Sequence, residues 1–263
     1  MIFETHAHYD DEAFDQDREE LLSGMEQNGI GRIVNIAADL ESCQTTLELG
    51  RTYPFVYAAL GVHPSGTAQL NGENFAALVS LVRDNSLSRG GKVVAVGEVG
   101  LDYYWEDNPD REIQKKWFAR QIEMAKEAEL PLVIHSREAA RDTYELMREH
   151  RAFEAGGIIH CYAYSRQMAA EYLSMGFLFG IGGVVTFKNS RKLREVVEYL
   201  PIESMVLETD SPYLAPVPNR GKRNSSLNLP YIAQEIAKIK GMETRQVIEI
   251  TEQNAYRVFK IPQ

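Results

Sequence analysis

Five of the six histidines in this chain stand at the C-terminal end of a short apolar run, and so do two of its carboxylates. His6 and His8 close Ile2-Phe3-Glu4-Thr5, and His63 closes the run from Val56 to Val62. His135 closes Pro131-Leu132-Val133-Ile134, and His160 closes Gly157-Ile158-Ile159. Glu98 ends the run from Val93 to Gly97, and Asp210 ends the run from Met205 to Thr209. Only His150 lies in an ordinary polar stretch. Short, β-branched apolar runs read as strands buried on both faces. Imidazoles and carboxylates placed repeatedly at strand tips are what a metal site at the mouth of a parallel barrel requires.

The spacing predicts strands at 2–8, 32–37, 55–61, 92–98, 131–135, 157–161, 177–181 and 205–209. Helical patterns fall between them at 15–28, 41–52, 74–87, 110–129, 138–149, 166–175, 190–199 and 228–239, and one more follows at 243–254. The clearest is 110–129, where Trp117, Phe118, Gln121, Ile122, Ala125 and Ala128 recur on a helical period and Pro131 stops the run. Strands alternating with helices imply a parallel sheet with right-handed crossovers, and their number implies closure into a single (β/α)8 TIM barrel spanning 1–263. An open doubly wound sheet fits the alternation but not the chemistry. The reactive residues are spread over strands 1, 3, 4, 5, 6 and 8, and only a closed ring points so many ends at one spot.

At 263 residues and 44% hydrophobic, the chain can bury the core such a barrel needs. Its net charge of −10 excludes gripping long nucleic acid by charge alone, so a polyanionic substrate needs a local basic patch or bound cations. Two cysteines, Cys43 and Cys161, fit a reducing compartment. There is no basic, signal-length apolar segment at the N-terminus, and the longest apolar run, Phe177 to Val185, is too short to span a bilayer. A cytoplasmic protein, monomeric and without a membrane partner, is the expectation.

His6 and His8 form a His-x-His pair on one strand face, so both rings reach one ion. Glu98, at the tip of strand 4, stands between the histidine groups and is placed to bridge two ions. The expected site is therefore binuclear, with His6, His8, Glu98 and Asp210 on one metal and Glu98, His135 and His160 on the other. Imidazole and carboxylate ligands suit Zn, Mn, Fe or Ni, and a carboxylate-rich subset suits Mg. Asp210 takes two roles, metal ligand and proton acceptor for the attacking water. Glu208, two residues earlier, is read as the group that orients a ligating histidine. His63 is read as a pocket contact, with contact to the scissile group or to metal as the other options. Asp210, Glu98 and His63 make up the expected catalytic set.

Ile2 to Asp10, Gly61-Val62-His63-Pro64, Gly97 to Tyr104, Pro131 to Ala139 and Leu207 to Pro216 together resemble the TatD family of metal-dependent deoxyribonucleases, within the amidohydrolase superfamily. The similarity continues through Arg220-Gly221-Lys222-Arg223-Asn224 to Thr251, Asn254 and Phe259, and so covers essentially the whole chain. The resemblance places the family's metal residues on His6, His8, Glu98, His135, His160 and Asp210. Three departures stand out. Glu4 occupies a position that is usually Asp, Cys161-Tyr162-Ala163-Tyr164 replaces Cys-Phe-Ser/Thr-Gly, and Ser225-Ser226 replaces Glu-Pro.

Candidate substrate contacts are Arg137 after strand 5, Lys188 after strand 7, and Arg220, Lys222 and Arg223 after strand 8, where phosphate-binding loops recur in barrels. Tyr103, Tyr104, Trp105, Tyr162, Tyr164 and Tyr213 offer rings for unstacked bases, with Tyr103 and Tyr162 foremost. The expected activity is cleavage of DNA phosphodiesters at single-stranded or frayed ends by a 3′–5′ exonuclease using two divalent ions (Zn, Mg or Mn). The alternatives are a superfamily hydrolase of a small lactone, amide or phosphoester, and a non-catalytic metal-binding protein.

Overall fold

The computed structural model describes residues 1–262. Strands β1 (Ile2–Ala7), β2 (Ile30–Ile36), β3 (Val56–Leu60), β4 (Val93–Asp102), β5 (Leu132–Arg137), β6 (Gly157–Ile159), β7 (Leu178–Ile181) and β8 (Met205–Leu207) alternate with helices. The helices are α1 (Arg18–Ser23), α2 (Leu40–Thr52), α3 (Gly72–Asp84), α4 (Arg111–Glu127), α5 (Ala140–Glu149), α6 (Arg166–Ser174), α7 (Arg191–Tyr199), α8 (Leu229–Lys240) and α9 (Thr244–Phe259). The strands form one parallel sheet in sequence order, the (β/α)8 barrel. None of the described helices is long and apolar enough to cross a membrane.

Side chains alternate along each strand, and that alternation stacks the site on the core. Val94, Val133, Ile158 and Val206 form one buried cluster with Phe3, Val34, Ile36, Phe259 and Ile261. Glu98, His135, His160 and Glu208 follow Val94, Val133, Ile158 and Val206 by two or four residues, on the same strands or just past their ends. The functional side chains therefore share the inward face of the apolar cluster and sit directly above it.

The ring closes between β1 and β8 by side chains as much as by backbone. His8 N–H donates to Ser211 O (2.8 Å) and Asp210 N–H to His6 O (2.9 Å). The buried Glu4 carboxyl accepts from the Thr209 amide (2.9 Å), the Thr209 hydroxyl (2.7 Å) and the His6 amide (3.1 Å). Its remaining partner is Ser226 Oγ at 2.9 Å. Two of the three departures from the family pattern, Glu4 and Ser226, are thus in contact with each other.

Several element boundaries differ from the sequence expectation. The helix expected over 15–28 is only Arg18–Ser23, because Gly24 caps it and Gly29, at φ 84°, turns the chain into β2. β4 runs on to Asp102, paired with His135 to Arg137 of β5 rather than ending at Glu98. β6 and β8 are three residues each, shorter than expected, since their tips turn to aim site residues into the mouth. α9 extends to Phe259 because its last turn buries Phe259 against Phe3, with ring centroids 5.9 Å apart.

Candidate metal centre

Glu98 organises the centre, because its two oxygens face two different histidine groups. Oε2 lies 3.4 Å from His6 Nε2 and 3.8 Å from His8 Nε2. Oε1 lies 2.8 Å from His135 Nδ1 and 3.8 Å from His160 Nε2. Asp210 Oδ1 completes the first group at 3.7 Å from His6 Nε2 and 3.5 Å from His8 Nε2, and it also reaches His160 Nε2 at 3.7 Å. The carboxylate reaches this place because Asp210 has a φ of 58°, in the left-handed region that Asp tolerates better than most residues.

Neighbouring acceptors leave the inward ring nitrogens free. His8 Nδ1 sits 2.8 Å from the Ile36 carbonyl, which can only accept, so Nδ1 carries a proton and Nε2 faces the centre, free for a metal once its own proton is displaced. His160 Nδ1 is 3.1 Å from Glu208 Oε1, which also takes the Cys161 amide at 2.7 Å. Gly180 makes room for that carboxylate, since a Cβ there would collide with it. His135 Nε2 meets Asp102 Oδ2 at 3.0 Å, leaving Nδ1 for Glu98 and the centre. A ring held from behind by a carboxylate or carbonyl is the usual support of a metal-ligating histidine.

The electrostatics match a cation site. Burial opposes charge on Glu98, yet His160, His6 and His135 hold its carboxyl well below the usual range. Asp210 is likewise lowered against burial by His160 and His8. Burial also disfavours a charged His160, but Glu208, Glu98 and Asp210 carry it up to about 10, and Asp210 and Glu98 carry His8 up to about 9. His6 is lowered by burial and by His160, whose ring stacks on it at 3.4 Å. Protons on His8 and His160 thus balance two ionised carboxylates in positions that a divalent ion would neutralise better. His6 Nε2 and His8 Nε2 are only 3.2 Å apart, so the two ring nitrogens converge on one point. The donor set, rich in imidazole, fits divalent metal of the Zn or Mn type.

The centre opens into a pocket of about 550 Å³. His63 lines it, its ring 4.4 Å from that of His135. Burial and His135 push His63 down to about 4, so it is neutral at pH 7. Arg137 stands at the rim with its guanidinium over Tyr104 (3.9 Å) and Trp105 (5.3 Å). The other expected substrate contacts are elsewhere. Tyr162 is buried, donates to Ser165 O (2.7 Å) and packs edge-on against Phe179, so it is a core residue and no platform for a base. Tyr103 donates to Asp142 (2.8 Å) and lies outside the pocket lining. Arg223 pairs with Asp17 (2.7 Å) and with the Ala13 carbonyl, turned away from the centre. Lys188, Arg220 and Lys222 are exposed but do not line the pocket, and Arg220 lies over Phe187.

Two features escaped the sequence reading. Asp102, four residues beyond Glu98 on the same strand, holds His135, and the i, i+4 spacing within β4 was the available signal. Asp10, Asp11 and Asp39 line the β1–β2 side of the mouth and make it acidic. No pattern in the sequence places these three together.

A parallel barrel with clustered histidines and carboxylates at its C-terminal mouth defines a metal-dependent hydrolase. The chain matches the model of the family described as TatD related DNase over residues 3–260, and it belongs to the TatD family. It is 40% identical over 261 residues to YabD, an uncharacterized metal-dependent hydrolase of Bacillus subtilis strain 168, covering 99% of this chain and 100% of the relative. YcfH of Escherichia coli K12, another uncharacterized metal-dependent hydrolase, is 32% identical over 265 residues, covering 99% and 96%. The crystal structure of the TatD homolog YjjV from Escherichia coli K12 superposes with a TM-score of 0.89 at 29% identity, covering 99% and 98%.

Proposed function

We propose that this TatD-family hydrolase, acting as a single barrel domain over 1–263, cleaves phosphodiester bonds in DNA as a 3′–5′ exonuclease on single-stranded or frayed ends. The observation that carries the reading is the two-faced placement of Glu98, one oxygen toward His6 and His8 and the other toward His135 and His160. His6, His8, Glu98 and Asp210 would hold one divalent ion, and Glu98, His135 and His160 a second. When bound, such a pair supplies Lewis acidity toward the phosphate and acidifies the attacking water.

The chain's own groups do the rest. Asp210, kept ionised by His160 and His8, accepts the proton of the water as it attacks phosphorus and the ester oxygen departs. His63 Nδ1 accepts from the Ser65 amide at 3.2 Å, so its Nε2 carries the proton and is a neutral donor for a phosphate oxygen. Arg137, fixed by two aromatic faces, is the rim cation for the neighbouring phosphate.

The acidic rim of Asp10, Asp11 and Asp39 favours a second reading, a small lactone, amide or phosphoester that does not extend over the mouth. Protein stripped with EDTA and re-metallated singly with Mg, Mn, Zn or Co separates the two on end-labelled single-stranded DNA and a lactone panel. Metal-dependent shortening of DNA with inert lactones is expected. Lactone turnover with intact DNA would overturn the nuclease reading.

A further inference from the structure

The exposed cations of the barrel fall into two kinds. Those along helix flanks are neutralised, as in the pairs Arg141–Glu145, Arg191–Glu195 and Arg245–Glu249. Among the described residues, Arg166 and Lys192 form no ion pair and no hydrogen bond. Both line a groove of about 710 Å³ between α6 and α7. The Arg166 guanidinium lies 4.2 Å over the Tyr199 ring, which holds it without neutralising it. Glu195, the one acid in the groove, is already paired with Arg191 at 2.8 Å.

This groove meets the pocket of the metal centre at one residue. Ala163, in the loop between β6 and α6, lines both the central pocket and the groove. Tyr164 stands beside it, its hydroxyl fixed 3.0 Å from Ser136 Oγ. The opposite side of the mouth repels an anionic chain through Asp10, Asp11 and Asp39. The guanidinium near that side, Arg223, is consumed by Asp17. An exit over Ala163 takes a polyanion away from these aspartates and toward the unpaired Arg166 and Lys192.

We infer that the α6–α7 groove is an extended subsite for the flanking nucleotides of a single-stranded polynucleotide. Arg166 and Lys192 each contact a backbone phosphate there, and the Tyr164 and Tyr199 rings border the path. The inference deepens the nuclease reading and rests on it. It also explains how a chain of net charge −10 could take a polyanion, since unpaired cations are gathered along this path.

The test is binding of a fluorescein-labelled oligothymidylate to the metal-stripped protein, followed by anisotropy over a salt series. The variant is Arg166→Ala/Lys192→Ala, and both side chains are exposed, so the fold should survive. Affinity should fall about tenfold at low salt, and the log–log salt slope should drop by about 1.4, or 0.7 for each single-strand phosphate lost. Arg151→Ala/Arg245→Ala removes the same charge at paired positions and should leave both unchanged. The metal-loaded Arg166→Ala/Lys192→Ala variant should hydrolyse bis(p-nitrophenyl) phosphate with wild-type kcat and KM, because that ester is too short to reach the groove. Unchanged oligonucleotide affinity, or an equal loss in the control variant, overturns the subsite. Failure of wild-type protein to hydrolyse the short ester would instead strike the hydrolytic reading of the metal centre and leave the binding result standing.

Discussion

Asp210 and Glu208 lie two residues apart at the end of one short strand, yet they face different partners. Asp210 turns into the cluster of His6, His8 and His160, whereas Glu208 is fully buried behind His160. Asp210→Asn keeps an oxygen for a metal but cannot take a proton, so kcat should fall on the order of a hundred- to ten-thousand-fold. Glu208→Gln should weaken metal affinity about ten- to a hundred-fold, with excess metal restoring most of the rate. Measuring kcat for both variants across a metal titration separates the roles. Full rescue of Asp210→Asn by metal would make Asp210 a ligand only. Asp102 behaves as Glu208 does, since its Oδ2 fixes His135 from the far side. Asp102→Asn should therefore lower affinity for one ion by about ten- to a hundred-fold with the barrel unchanged. Calorimetric metal titration checks this, and wild-type affinity would reduce Asp102 to a structural partner of the Tyr104 amide.

The β1–β8 seam is the element on which the centre hangs, because His6, His8 and Asp210 all stand beside it. Glu4 fastens it through bonds from Thr209, His6 and Ser226. Burial outweighs these bonds and raises the Glu4 carboxyl to about 8. Glu4→Ala strands buried amides and should cost about 3 kcal/mol in urea unfolding, on the scale of about 1–3 kcal/mol for each buried polar group left unpaired. Glu4→Gln, which keeps an acceptor oxygen and can donate to the two hydroxyls, should cost less than half as much. A loss under about 0.5 kcal/mol for Glu4→Ala would show that the seam is held by backbone alone. The strands and helices were legible in the sequence because their apolar periods are strong and most strands lead into a chemically distinct residue. What was not legible is how a tip turns. Glu4 and Ser226 are 222 positions apart in the chain, and no local pattern announces that they share a hydrogen bond. Tyr162 failed as a base platform for the same reason, since an aromatic next to a strand end gives no sign of which side of the backbone it takes.

For the molecule as a whole, the barrel sorts residues by height. Valine and isoleucine layers fill the interior, histidines and carboxylates sit above them, and unpaired cations and aspartates divide the rim. The cluster of histidines and carboxylates could be read from the sequence because each member stands in or just after a strand, toward the C-terminal mouth of the barrel. The charge division could not, because it depends on which cations find acids in three dimensions, as Arg223 does and Arg166 does not. The central claim is that Glu98 is shared between two ions. It is tested most directly by counting metal, with protein equilibrated against Zn or Mn, desalted, and assayed for metal and protein together. Wild-type protein should hold two ions per chain. Glu98→Ala, with an unchanged circular dichroism spectrum, should lose metal from both positions and all measurable hydrolysis, since a residue on the catalytic face of the barrel serves chemistry more than stability. One ion in the wild type, or two ions and activity within a few-fold of wild type in Glu98→Ala, would contradict the binuclear account.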